Sequence, residues 1–387
     1  MQIVEVRDDV DRKAFLHLPC ILYNSPTNWI RPLDKDIEAV FDPKKNKFFR
    51  HGESIRWILK NNKEVIGRVA AFMNRRTATK GSDQPTGGIG FFECIQDQEA
   101  SFALFDTCKK WLSERKMEAM DGPVNFGTRD NWWGLLVDGF DIDPNYRCNY
   151  NLPYYQELFE TYGFRTYFKQ FTYGRRIADP LSKRLIEKAN LISNDPNYHF
   201  EHLRIRNLDK YIDDFRIIYN AAWASHAGVN MMTPSQAKAI FYQMKPLLDE
   251  KIIWFGYYKN EPIACFIMIP EVNQIFKYVN GKMNLLGKSK FLYHRWRQTC
   301  IKVLGVVFGI VPAHQGKGVD GAIIMAAREM VQEKYLRYEF LEMNWIGDFN
   351  PKMIRVVEQV GGDIVKTHIT YRKLFDENKP FKRMPFR

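Results

Sequence analysis

Residues 305–334 read GVVFGIVPAHQGKGVDGAIIMAAREMVQEK, and the pattern of this stretch decides the fold. Gly305 to Val311 are dense in β-branched and aromatic side chains and carry no charge, the composition of a buried strand. Pro312 ends that strand, since it has no N–H to give to a ladder. A glycine-rich turn follows from Ala313 to Gly321. From Ala322 to Lys334 apolar residues fall at 323, 326, 327, 330 and 331, which is helical spacing. Strand, turn and helix in this order gather backbone N–H groups at a helix N-terminus, a setting suited to phosphate.

The turn is neither a Walker loop nor a GxGxxG dinucleotide fingerprint. It resembles the pyrophosphate motif of the GNAT acyltransferase superfamily, V-x-P-x-x-Q/R-x-x-G-x-G/A. Val311-Pro312 and Gln315-Gly316-Lys317-Gly318-Val319-Asp320 carry the resemblance. The match departs at its last position, where Asp320 stands for Gly or Ala and Gly321 comes one residue late. A carboxylate there opposes a pyrophosphate unless it turns away, for instance to cap the helix.

Composition narrows the class further. At 387 residues the chain is long enough for two domains. No apolar run reaches the length of a membrane span, and the acidic MQIVEVRDDVDRK start is not that of a signal peptide. Six scattered cysteines, without CxxC spacing, read as reduced thiols of a cytoplasmic protein. His199 and His202 have no further ligands nearby, so no metal site is expected. The net charge of +12 is uneven: from Val272 to Val319 there is no Asp or Glu, while lysines and arginines recur. Such a stretch is either a solvated face or an electropositive approach to the phosphate turn. An acyl carrier protein or an anionic lipid surface would respond to it; nucleic acid is not the expected partner.

The chain also reads as two copies of one unit. Trp57 to Glu64 corresponds to Trp254 to Glu261 at an offset of 197, and Tyr23-Asn24 to Tyr219-Asn220 at 196. Gly163 matches Gly361, and Phe171-Thr172-Tyr173 matches Ile369-Thr370-Tyr371, both at 198. The resulting fold class is α/β: two tandem GNAT-like domains, each a mixed twisted sheet flanked by helices. Residues 1–177 form the first, 178–198 a partly helical linker, and 199–387 the second. In the first copy, strand 88–94 leads into Ile95-Gln96-Asp97-Gln98-Glu99. That stretch has no glycine, and its carboxylates suit a helix start while repelling phosphate. One active site per chain, in the second copy, is the expectation.

The resemblance implies acetyl-CoA or another acyl-CoA as co-substrate, lying between splayed strands at 305–311 and 338–345. It implies that backbone amides from Gln315, Gly316, Lys317, Gly318, Val319 and Asp320 hold the pyrophosphate. Main-chain groups of Ile310 and Val311 would bind the pantetheine arm, and a strand N–H would polarise the thioester carbonyl. Gly347 to Gly362 resembles the family's N-x-x-A-x-x-L-Y-E-K-x-G segment, with Asn350 at the cofactor-contacting position. The family's thiolate-protonating tyrosine falls at Val357, so water or another tyrosine such as Tyr371 must serve. An acceptor amine, on a small molecule or a peptide, must lose a proton to a base within reach. Glu342, alternating with Phe340 and Asn344 on its strand, is the first candidate, and Asp348 the second. Trp345, Trp223, Trp132 and Trp133 are candidate walls of an acceptor pocket. The expected activity is direct N-acyl transfer. The alternatives are a CoA- or acyl-carrier-binding protein without turnover, a Fem-type aminoacyl transferase, and a basic lipid-surface protein. The C-terminal tail, residues 379–387, reads as a frayed end.

Overall fold

The computed structural model describes the chain except for residues 25–26, 80–82, 224–230, 335–336 and 386–387. The first half runs β1 (Gln2–Glu5), α1 (Asp9–Leu22), α2 (Asp34–Phe41), β2 (Gly52–Asn61), β3 (Glu64–Asn74) and β4 (Thr86–Cys94). It continues with α3 (Gln98–Ser113), β5 (Ala119–Gly122), β6 (Leu135–Asp138), α4 (Tyr155–Thr161) and β7 (Arg165–Arg176). After α5 (Lys183–Ser193) the order recurs: β8 (Tyr198–His202), α6 (Leu208–Trp223), α7 (Pro234–Met244), β9 (Ile253–Tyr258) and β10 (Glu261–Pro270). Two inserted helices, α8 (Asn273–Val279) and α9 (Leu285–Trp296), precede β11 (Lys302–Ile310) and α10 (Val319–Glu329). The chain closes with β12 (Phe340–Gly347), α11 (Pro351–Gln359) and β13 (Asp363–Leu374).

All these strands join one sheet, in the order β1-β2-β3-β4-β5-β13-β7-β12-β11-β10-β9-β8, with β6 paired to β13. The order is the same from either end once the copies are matched. The last strand of each copy is exchanged: β13 lies beside β5 of the first half, and β7 beside β12 of the second. The exchanged strands then pair with each other, antiparallel, from Asp363↔Gly174 to Arg372↔Arg165. The periodicity of the sequence anticipates the repeat but not this exchange, because which edge a strand joins is settled by long-range pairing.

Local chemistry accounts for the element ends. Glu64 begins β3 directly after the β2–β3 turn, where Asn62 takes a φ of 53° that Asn tolerates. Gly163 and Gly361, at matching points after α4 and α11, have φ of 96° and 76°, which a residue with a Cβ adopts only at a cost. Strand β5 stops at Gly122, since Pro123 cannot donate to the ladder. The helix expected from Ala322 begins three residues earlier, at Val319, and its last turn widens into a π turn over Met330–Lys334.

Each half has its own core. In the first, α3 packs Leu104, Phe105 and Cys108 onto Val69, Ile89 and Met120 of the sheet. In the second, α10 packs Ala322, Ile323 and Ala327 onto Ala264, Phe266 and Val303. As far as Met384 the tail is docked and not frayed. Lys379 bonds Glu118 at 2.6 Å, Arg383 pairs with Asp348, and Met384 N–H donates to the Tyr167 carbonyl at 3.1 Å.

Candidate functional site

Strands β11 and β12 are the parallel neighbours of the second half. They pair from Lys302↔Phe340 to Gly305↔Met343 and no further. The cause lies in β11 itself. Val307 pairs with Ile267 and Gly305 with Met268, so Val306 is an extra residue, a β-bulge that bends the strand away from its neighbour. A second irregularity falls on β12 between Met343 and Ile346, against β7. The strands diverge into a wedge. A cavity of about 530 Å³ occupies it, bounded by Gly305, Phe308, Ala327, Met343, Val357 and Val360. Past Gly305 the β12-facing edge of β11 has no strand partner among the described residues.

The turn beyond β11 is shaped by its glycines. Gly316 and Gly318 have φ of 74° and 99°, left-handed conformations that glycine adopts without penalty. Gly318 is the N-cap of α10 and supplies no side chain to cap it, so the first amides of the helix lack an internal acceptor. Asp320 lies in the first turn of α10, and no side chain caps the helix start among the described residues. The delayed Gly321 has its own reason: a Cβ there would press on Leu185 and Ala189 of α5, 3.2 Å away. Gly318 is equally constrained, because a Cβ would come 2.8 Å from the Lys188 carbonyl. Gly316 and Lys317, by contrast, are exposed.

Several main-chain groups assigned from sequence have internal partners. The Gln315 side chain donates to the Ile310 carbonyl at 2.9 Å, and the Val311 N–H donates to the Ile263 carbonyl at 2.9 Å. The strand backbone left for an oxyanion or an amide chain is therefore nearer the bulge at Val306. Asn350 caps α11, accepting from Met353 N–H at 3.2 Å, and lines the cavity.

The two candidate bases sit elsewhere. Glu342, 5% exposed, is held by Lys302 on one oxygen. Lys366 and Asn145, at 2.8 and 2.7 Å, hold the other. Burial alone would raise its pKa, but the two lysines outweigh that and hold it below the ordinary carboxylate value. Asp348 is paired with Arg383 of the tail. Neither lines the cavity. Close to Glu342 in sequence-distant packing is Glu271, which accepts from Asn273 and Tyr146 N–H on one oxygen and leaves the other unpartnered. Burial raises its pKa to about 7.

Groups that the sequence did not mark do reach the cavity. Asp130, from the first half's β5–β6 connection, lines it, as do Tyr219 of α6 and Asn344 of β12. That connection is anchored by Trp345, whose indole N–H donates to the Arg129 carbonyl at 3.0 Å and whose ring stacks on Phe168. Trp345 thus does wall the cavity, whereas Trp132 belongs to the first half's core. Trp133 stacks under Arg129, and the side chain of Trp223 lies outside the described residues. Tyr371 is far from its expected use. It is buried against Phe159 in the first half and donates to Glu160 at 2.8 Å. A tandem repeat exposes Tyr371 as a strand residue; only the strand exchange explains why it serves the other half.

No protein-family model matches the chain. It is 25% identical to a bacterial ceramide synthase of Caulobacter vibrioides, over 96% of this chain and 97% of that protein. It is 24% identical to protein YghO of Escherichia coli, over 94% of this chain and 93% of that one. Among solved structures, a tandem GNAT protein from the clavulanic acid biosynthesis pathway has a similar fold. The TM-score is 0.55 at 9% identity, covering 98% of this chain and 99% of that chain. With two matched halves and a strand-splayed wedge in the second, the protein has the tandem GNAT-like acyltransferase fold.

Proposed function

We propose that the second half transfers an acyl group from acyl-CoA to the amine of a long-chain amino alcohol, giving an N-acyl amide. The observation that carries this reading is the apolar cavity of about 530 Å³ at the point where β11 and β12 part. A cavity within the ~300–1,000 Å³ range that encloses a drug-sized ligand exceeds what an acetyl group needs. It leaves room for the pantetheine arm and an acyl chain beyond it. The turn at 315–320 fits the pyrophosphate, with Lys317 as a cation beside it. The bacterial ceramide synthase supports the acceptor class, since a ceramide is the amide of a fatty acid and a long-chain amino alcohol.

The amine nitrogen forms a C–N bond as the thioester C–S bond breaks. The developing oxyanion takes a hydrogen bond from the strand edge near the bulge, an effect worth ~3 kcal/mol in comparable sites. The amine proton passes to a carboxylate, directly or through water. Asp130 is the acid at the cavity wall and takes this role in our reading. Glu342, saturated by two lysines, holds the seam between the halves. Val357 leaves the departing thiolate to be protonated by water. The division into units at residues 178–198 belongs to the same proposal.

Calorimetry with CoA and acyl-CoAs of increasing chain length, followed by thiol release with a sphingoid base and with a short amine, tests the reading. We expect affinity to rise with chain length and thiol release to depend on the long-chain amine. Ala327→Phe, which projects a ring into the wedge, should weaken long-chain acyl-CoA binding by ~100-fold, about 2.7 kcal/mol. Equal affinity for all chain lengths in both proteins would remove the cavity from the mechanism.

A further inference from the structure

The second half carries one feature that the first lacks. Between β3 and β4 the connection, residues 75–85, has no helix among its described residues, whereas between β10 and β11 it spans 271–301 and holds α8 and α9. Helix α9 (LLGKSKFLYHRW) is attached along a thin stripe. Gly287 is buried, and Phe291 and His294 are half-buried, with Phe291 packed on Phe276 and His294 stacked on Tyr278. The rest of the helix faces outward. Leu285 is 85% exposed, Trp296 75%, Leu286 64% and Leu292 61%.

These exposures have a geometry. At about 100° per residue, Leu285, Leu292, Trp296, Tyr293 and Leu286 fall within an arc of roughly 120°, opposite the attached stripe. Lys288 and Arg295 lie along one flank of that arc, and Lys290 and Arg297 along the other. An apolar ridge bordered on both sides by long cationic side chains is how a helix lies in a membrane interface. The ridge enters the acyl boundary and the cations extend sideways to the headgroups. The charge is complementary to an anionic surface, since no Asp or Glu occurs from Val272 to Val319, and the apolar ridge between the cations favours a lipid one. Lys277 faces Asp143 at 3.8 Å and Lys302 belongs to the Glu342 cluster, but the four cations of α9 form no ion pair among the described residues. An isolated exposed leucine needs no explanation, but five large apolar groups on one helix face do. No helix among the described residues is long and apolar enough to cross a membrane, so α9 would lie on the bilayer and not span it.

We propose that α9 is a docking helix that seats the protein on an anionic lipid bilayer. The insertion joins the very strands, β10 and β11, whose residues Met268 and Val303 line the cavity. The proposal stands apart from acyl transfer, because a protein that binds CoA and nothing else would dock equally well.

Flotation of the full chain with vesicles of phosphatidylcholine, alone or mixed with phosphatidylglycerol, tests it. Association should be strong only with the anionic mixture, and should fall with added salt. Leu292→Glu combined with Trp296→Glu, on the ridge, and Lys290→Glu combined with Arg297→Glu, on a flank, should each lower vesicle binding by about tenfold or more. Both should keep the wild-type melting temperature. Leu191→Glu, at an equally exposed apolar position on α5, should bind as the wild type does. Wild-type binding by the ridge variant overturns the proposal. So does equal binding to neutral vesicles, or a concentration-dependent dimer that the ridge variant abolishes while vesicles stay unbound.

Discussion

The two halves use the same parallel strand pair and treat it in opposite ways. In the first, β4 and β5 pair from Thr86↔Ala119 to Gly88↔Asp121 and then part, as β11 and β12 do. The chain refills that gap itself. Val124 N–H donates to the Ile89 carbonyl at 2.7 Å, and a Cβ at Gly90 would overlap the Val124 carbonyl. Phe92, Phe105 and Phe159 stack inside it, with Tyr155 against Phe92. Asp97 accepts from Ala100 N–H at 2.7 Å and caps α3 where α10 has only Gly318. One topology therefore yields a solid core or a cavity, depending on whether rings occupy the splay. Open space is retained in the half whose helix start is uncapped.

The sharpest way to break this comparison is to empty the first wedge. Phe159 is fully buried, and Phe159→Ala should cost ~3–5 kcal/mol of stability, read by denaturant unfolding, without creating acyl-CoA binding. A stable variant that gains CoA affinity would mean that ring filling alone separates the halves.

Buried carboxylates sharpen it next. Glu93 of the first half is enclosed by partners: Arg68 at 3.3 Å, Tyr155 at 2.8 Å and Tyr23 at 2.9 Å. Glu271 of the second half keeps one oxygen unpartnered, and burial raises its pKa to about 7. Between about pH 4.5 and 7 the unfolded chain has released this proton while the folded chain retains it. Folding stability thus falls as pH rises through that window, by an amount on the order of 3 kcal/mol. Glu271→Gln cannot ionise and keeps the oxygen that accepts from Asn273 and Tyr146. Its melting temperature should gain on the wild type from pH 5 to about 7 and the difference should level off above that. A constant difference across that range would show that Glu271 does not titrate there.

The smallest expected effect concerns the phosphate turn. Gly318 is a poor probe, because any side chain would meet Lys188. Lys317→Glu and Gly316→Asp alter exposed positions, and Asp tolerates the left-handed backbone of Gly316. Each should weaken CoA binding by ~10-fold, about 1.4 kcal/mol, with a shallower salt dependence and an unchanged melting temperature. Unchanged affinity would leave the turn without a role in binding.

Much of this was legible in the residues. The sequence around 305–334 predicts a strand, turn and helix, and the structure has all three, because β-branched density, Pro312 and the glycines are local signals. The repeat was legible from Trp57/Trp254 and Gly163/Gly361 for the same reason. Glu342 shows where such reading ends. Alternation along β12 assigns it a face but not the lysines that meet it there, since Lys302 and Lys366 arrive from other strands. Asp130 had no local signal whatever; it reaches the cavity because the first half's connection folds across the second half's wedge. The exchange of β7 and β13 was equally invisible, for each strand has the same alternation whichever neighbour it takes.

That exchange fixes an order of events in the life of the chain. While the ribosome is at work, β5 is made well before its neighbour β13, so β8 to β12 are synthesised while the first half still offers a bare hydrogen-bonding edge. Cutting the gene between the copies would leave each product with the other's closing strand. A severed half would expose the very edge that its sheet reserves for the other half's strand, so the two copies close together.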